Sequence, residues 1–109
     1  MKKRLRKKQR SGEFQELGFE VTYSVRADSP DDAVDELLWS FMQDAIEANG
    51  LLAGGGCGRE TSVFVTSSEN RGSATEAHRK LVGHWLGSRS IISRHTVHPL
   101  RDVWHGWAE

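Results

Sequence analysis

Gly18-Phe19-Glu20-Val21-Thr22-Tyr23-Ser24-Val25-Arg26 alternates large apolar with polar side chains over its whole length. Period-two alternation is the signature of a strand with one buried face, so Phe19, Val21, Tyr23 and Val25 are expected to point into a core. The next stretch has the other period. Ser29-Pro30-Asp31-Asp32 places a side-chain oxygen at an N-cap, a proline where its missing N–H costs nothing, and carboxylates at the positive end of a helix dipole. Val34, Leu37, Leu38, Phe41, Met42, Ala45 and Ile46 then recur at three- and four-residue intervals, which predicts an amphipathic helix ended by Asn49-Gly50. Trp39 falls off the centre of that stripe.

Further along, Leu51-Leu52-Ala53 and Thr61 to Thr66 read as two strand arms joined by the glycine-rich connection Gly54-Gly55-Gly56-Cys57-Gly58-Arg59. Ser73-Ala74-Thr75-Glu76 has capping-box spacing, and His78, Leu81, Val82, Trp85 and Leu86 give a second helical stripe up to Gly87. Ile91 to Val97 alternates again, and Pro99 stops that strand or confines it to a sheet edge. The order is β-α-β-β-α-β. It predicts an α+β fold of the split βαβ (ferredoxin-like) kind, a two-layer sandwich with two helices on one face of an antiparallel sheet.

The chain has 109 residues, with 15 Lys+Arg against 15 Asp+Glu. The zero balance hides a strong asymmetry. Lys2, Lys3, Arg4, Arg6, Lys7, Lys8 and Arg10 lie within the first ten positions, where there is no acid. Removing those seven leaves eight basic against fifteen acidic residues, a net of −7 behind a +7 arm. Such a segment buries no face of its own, so residues 1–12 are expected to be a disordered basic arm and residues 13–109 a single α+β domain. A domain of about 100 residues needs neither metal nor disulfide to be stable. The single Cys57 excludes an internal disulfide framework, and a reducing cytosol fits. No stretch approaches the roughly 18–20 apolar residues of a membrane span, and Ser11-Gly12-Glu13 comes after the basic run where a signal peptide has its apolar core. The expected protein is cytoplasmic, without a membrane partner, and a monomer.

Signals for catalysis are weak. The Gly54–Gly58 cluster lacks the Lys-Ser/Thr pair and following helix of a phosphate-binding loop. His95 and His98, three apart, diverge on a strand, and His78 and His84, six apart, diverge on a helix. With one cysteine and no HExxH, no metal or other cofactor is expected and no residue is assigned a catalytic role. Cys57 has no specified base beside it. Ten carboxylates lie between positions 13 and 47 against the single Arg26, a solvated helix face or a surface for a basic protein. The arm is the strongest functional feature. Its arginines offer bidentate phosphate forks and its lysines point charges, which makes Lys2, Lys3, Arg4, Arg6, Lys7, Lys8 and Arg10 the candidate RNA-binding residues. If five of them neutralise phosphates, log affinity falls with log salt at a slope of roughly −3.5 to −4.5.

Arg4-Leu5-Arg6-Lys7-Lys8, Glu13-Phe14-Gln15-Glu16-Leu17-Gly18-Phe19 and Asp102-Val103-Trp104 together resemble the YggL-like proteins of bacteria, small cytosolic proteins associated with the 50S ribosomal subunit. The resemblance spans almost the whole chain and departs from the family at the glycine-rich hairpin and beyond Trp104. It implies a non-enzymatic protein that binds the 50S subunit through rRNA, with ribosomal proteins as a further option, and it transfers no catalytic residue. On this reading the arm anchors on rRNA phosphates and the body docks through its less acidic half, since positions 59–109 hold seven basic and five acidic residues. Trp104 is expected in the core. Two other classes are kept: a protein–protein module that uses the acidic first helix, and a small enzyme or ligand-binding domain, marked by convergence of His78, His84, His95 or Asp102 in a pocket.

Overall fold

In the computed structural model, which describes residues 16–68 and 72–103, the alternating stretch forms β1 (Leu17–Val25). It lies inside an antiparallel sheet with β2 (Leu51–Gly56), β3 (Glu60–Ser67) and β4 (Ile92–Val97) in the order β2-β3-β1-β4. Val21 stands opposite Val63 on one side and Val97 on the other, and Phe19 opposite Val65. The two-residue period turns Phe19, Val21, Tyr23 and Val25 to one face, where none is more than 6% exposed. Burial of these apolar surfaces, at roughly 25 cal/mol per Å², holds the helices to that face.

The first helix departs from the single stripe expected. α1 (Asp31–Ser40) begins one residue late, with Pro30 in the N-cap position and no side-chain cap. Ser29 does not cap it. Instead its carbonyl accepts from Arg59 Nη2 at 2.7 Å, and the same nitrogen reaches Asp31 at 2.8 Å, which ties the helix start to the β2–β3 hairpin. Beyond Ser40 the helix widens into π turns over Phe41–Ile46 and then tightens into a 3₁₀ turn over Glu47–Asn49. The physical reason is visible in the burial: Phe41 and Ile46, five residues apart and one π turn from each other, are both buried, together with Ala45. Asn49 Nδ2 donates to the carbonyls of Asp44 and Ala45, and Gly50 ends the segment in the left-handed region at φ 71°.

The glycine-rich connection is also shorter than the sequence suggests. Gly54, Gly55 and Gly56 are strand residues paired with Phe64, Val63 and Ser62, and only Cys57, Gly58 and Arg59 separate β2 from β3. Ladder hydrogen bonds need no side chain. At Gly55, with φ 149°, a Cβ would collide with the Ser62 carbonyl and lie 2.9 Å from Val63 Cα, so the close approach itself selects glycine.

α2 (Glu76–Gly87) starts from Thr75 and not from Ser73. Thr75 Oγ1 accepts from the His78 amide while His78 Nδ1 accepts from the Thr75 amide, a capping box in which histidine replaces the expected glutamate. Ser73 Oγ instead accepts from the Leu17 amide at 2.8 Å and so clamps the start of β1. α2 buries Val82 and Leu86, and Trp85 joins Phe41 and Tyr23 in a ring cluster with centroid separations of 5.6 and 5.7 Å. After β4 the chain passes Pro99 and pairs with β1 again: β5 (Arg101–Asp102) faces Gly18 and Leu17. The alternation ended at Val97 and gave no sign of this two-residue strand. The expectations for residues 1–12 and for Trp104 fall outside the described residues.

Candidate polyanion-facing surface

The body carries its opposite charges on different elements. From Ala27 to Gly58 there are seven carboxylates and no Lys or Arg, whereas from Ala77 to Leu100 there are Arg79, Lys80, Arg89, Arg94 and four histidines, without a carboxylate. The acidic run occupies α1 and the turns after it, where Asp31, Asp32, Asp35, Glu36, Asp44 and Glu47 are exposed. Trp39 stands among them at 65% exposure. The basic run forms α2 and β4, which pack on each other.

Three ion pairs are formed among the described residues: Arg26–Asp28 at 3.5 Å, Arg59–Asp31 at 2.8 Å and Arg79–Glu76 at 2.7 Å. Arg79 is structural. Its Nε and Nη2 donate to the carbonyls of His98 and Val97, which joins α2 to the end of β4. Gly83 and Gly87 continue that line at helical spacing, since a Cβ at either would lie 3.6 Å from Val97 or His95. Arg89 extends over the Trp85 ring at 4.1 Å from its centroid. Arg94 reaches Ser24 Oγ at 3.4 Å. Lys80, Arg89 and Arg94 are exposed, and none forms an ion pair among the described residues.

The face of the sheet away from the helices carries a shallow depression of about 240 Å³, lined by Thr22, Ser24, Glu60, Ser62, Arg94 and Thr96 with Tyr23, Thr61 and His95. Its polar groups satisfy one another: Ser24 Oγ donates to Glu60 at 2.7 Å and Ser62 Oγ to Glu20 at 2.9 Å. Of the four groups whose convergence would mark an enzyme, only His95 lines it. His78 is occupied in the α2 cap, His84 is exposed on α2 and Asp102 belongs to β5. No three His, Cys, Asp or Glu side chains are placed to hold a metal among the described residues. Cys57 is an exposed free thiol on the hairpin turn. The seven candidate RNA-binding residues of the arm lie outside the described residues. The Arg89–Trp85 stack was missed by sequence reasoning, although the acid-free run around it was a usable signal.

A family model described as "YggL 50S ribosome-binding protein" matches residues 3–105. The chain belongs to that family. The YggL match covers most of the basic arm, the whole sheet and both helices. An uncharacterized protein of Haemophilus influenzae is 35% identical over 101 residues, which is 93% of this chain and 87% of the relative. No solved structure matches the chain. No helix among the described residues is long and apolar enough to cross a membrane.

Proposed function

We propose that this protein is a non-catalytic, cytoplasmic factor that binds the 50S ribosomal subunit as a monomer, with Lys2, Lys3, Arg4, Arg6, Lys7, Lys8 and Arg10 contacting rRNA phosphates. The observation that carries the reading is the family match through residues 3–105, which includes most of the arm. The charge distribution supports it: a +7 arm ahead of a −7 body is suited to polyanion capture by one part of the chain only. Phosphate contacts supply affinity and orientation with little sequence information, so the location on the subunit is set by the body. We assign the body to the split βαβ class as one domain, because β3 lies between β1 and β2 and both helices follow strands of that unit. The test is sedimentation of the full-length protein with purified 50S and 30S subunits. Co-sedimentation with 50S alone is expected; equal recovery with both, or with neither, rejects the assignment.

A second reading is favoured by one observation. Trp39, 65% exposed, shares α1 with Asp31, Asp32, Asp35 and Glu36, a surface that suits a basic segment of a ribosomal protein. That contact survives RNase treatment and is lost when the four carboxylates are neutralised.

A further inference from the structure

We infer that the α2–β4 edge is a second RNA-backbone contact, made by Lys80, Arg89 and Arg94 and separate from the arm; this rests on the 50S reading above and names the face of the body that docks. Four observations converge on it. Between Ala77 and Leu100 there is no carboxylate. The three cations are exposed, Lys80 on α2, Arg89 on the turn after it and Arg94 on the helix-free side of β4, and none forms an ion pair among the described residues. The element that carries them is fixed: Arg79 holds the β4 carbonyls, and the Gly83–Gly87 line packs on Val97 and His95. Finally, Arg89 is held against the Trp85 ring, which restricts the guanidinium before any partner arrives and lowers the entropy lost on contact.

The neighbouring carboxylates are engaged elsewhere. Glu76, one turn before Lys80 on α2, is paired with Arg79 at 2.7 Å. Glu60 approaches Arg94 only through Ser24, whose hydroxyl donates to Glu60 and receives the Arg94 Nε–H. Asp28 is paired with Arg26. The acidic α1 surface belongs to a different helix. A polyanion therefore meets positive potential along α2–β4 and repulsion along α1, which orients the body.

The two contacts are also separated. The arm joins the sheet at Leu17, whereas Arg94 is opposite Ser24 at the other end of β1. Seven strand residues place these points about 23 Å apart. Each contact adds its own counterion release.

The experiment uses full-length protein and purified 50S subunits, with affinity measured at several salt concentrations between about 50 and 200 mM. The test variant is K80Q/R89Q/R94Q. A second variant, K80E/R94E, leaves the Arg89–Trp85 stack intact, and near-UV circular dichroism reports the fold of both. The comparison variant is D35N/E36Q on α1. The expected result is that affinity falls about tenfold or more for both basic-residue variants, and the salt slope of K80Q/R89Q/R94Q decreases in magnitude by about 2 to 3. The α1 variant does not weaken binding. Wild-type binding with unchanged affinity and slope in both basic-residue variants overturns the inference and leaves the arm reading intact. Weakened binding with an unchanged slope overturns RNA as the occupant in favour of a ribosomal protein. Failure of the wild type to bind 50S rejects the functional reading itself, and the inference with it.

Discussion

The Phe64 ring lies against Gly18 on the helix-free face of the sheet, so close that a Cβ at Gly18 would come 2.6 Å from Phe64 Cε2 and 2.6 Å from the Val65 carbonyl oxygen. Gly18 is opposite Arg101 in the β1–β5 pair, and the Arg101 guanidinium sits 5.1 Å from the centroid of the same ring. The glycine thus connects the central strand, an aromatic cover and the strand that returns after Pro99. Gly18→Ala is expected to destabilise the protein by about 1–3 kcal/mol through overpacking. In a Phe64→Ala background the penalty shrinks without vanishing, because the Val65 carbonyl remains. Urea denaturation of the four proteins, read as a shift of midpoint at constant slope, checks this.

Phe41 is fully buried between Tyr23 and Trp85 at the start of the π segment. Truncation to alanine leaves a cavity at the junction of both helices and the sheet, and a loss of about 3–5 kcal/mol is expected. Thermal unfolding measures it. Because Trp85 loses its ring neighbour, its fluorescence should shift to the red in the native variant as well.

Tyr23 gives a pH dependence. Burial raises its pKa above the usual 10.0, and the Cys57 thiolate adds to the rise. Thr61, which opposes it, already donates its hydroxyl to the Gly58 carbonyl and accepts from the Gly58 amide. A folded-state pKa above the unfolded value favours the neutral phenol in the native state. Stability from this group is therefore complete below pH 10 and is lost as pH rises through the folded value. The phenol oxygen is buried without a hydrogen-bond partner. Tyr23→Phe is expected to be as stable as the wild type or more so at about pH 7, with a smaller loss of stability as pH rises above the usual tyrosine value of 10.0. Urea midpoints at about pH 7 and at pH values above 10.0 provide the comparison.

Thr75 caps α2 through the His78 amide. Thr75→Ala removes that acceptor and should cost about 0.5–2 kcal/mol, while Ser73→Ala acts at a different place, the Leu17 amide at the start of β1. If the two penalties are independent they add, and a double-mutant comparison of unfolding midpoints decides it.

Periodic burial was the part of the structure that the sequence carried well. β1 and β3 follow from one-face alternation, since each buries a face whose period is set by its own backbone. By contrast, α2 buries only Val82 and Leu86 of its stripe with Leu81 exposed, and β4 at the sheet edge buries no face despite its alternating sequence. The misplaced features depend on partners. Ser73 has the right chemistry and spacing for a cap, but Leu17 across the fold claims its hydroxyl. Gly54–Gly56 resemble a loop until β3 supplies their hydrogen bonds. The π turn exists because Phe41 and Ile46 must reach one core from a five-residue spacing, and β5 pairs through only two residues, too few for a periodic signal. At the candidate surface, the acid-free run around α2 was visible in the linear sequence, and the stacking of Arg89 on Trp85 is an i,i+4 contact that depends on helix-like hydrogen bonds continuing past Gly87 to Ser88 and Arg89.

The central claim, that the basic arm anchors the protein to the phosphates of the 50S subunit, is tested most directly by the salt dependence of 50S binding for the full-length protein and a form lacking residues 1–10. The full-length protein is expected to bind 50S with the steeper slope. Loss of about five phosphate contacts should reduce the magnitude of that slope by roughly 3.5 to 4.5 and weaken binding at every salt concentration tested. Equal affinity and equal slope for the two forms would contradict the account.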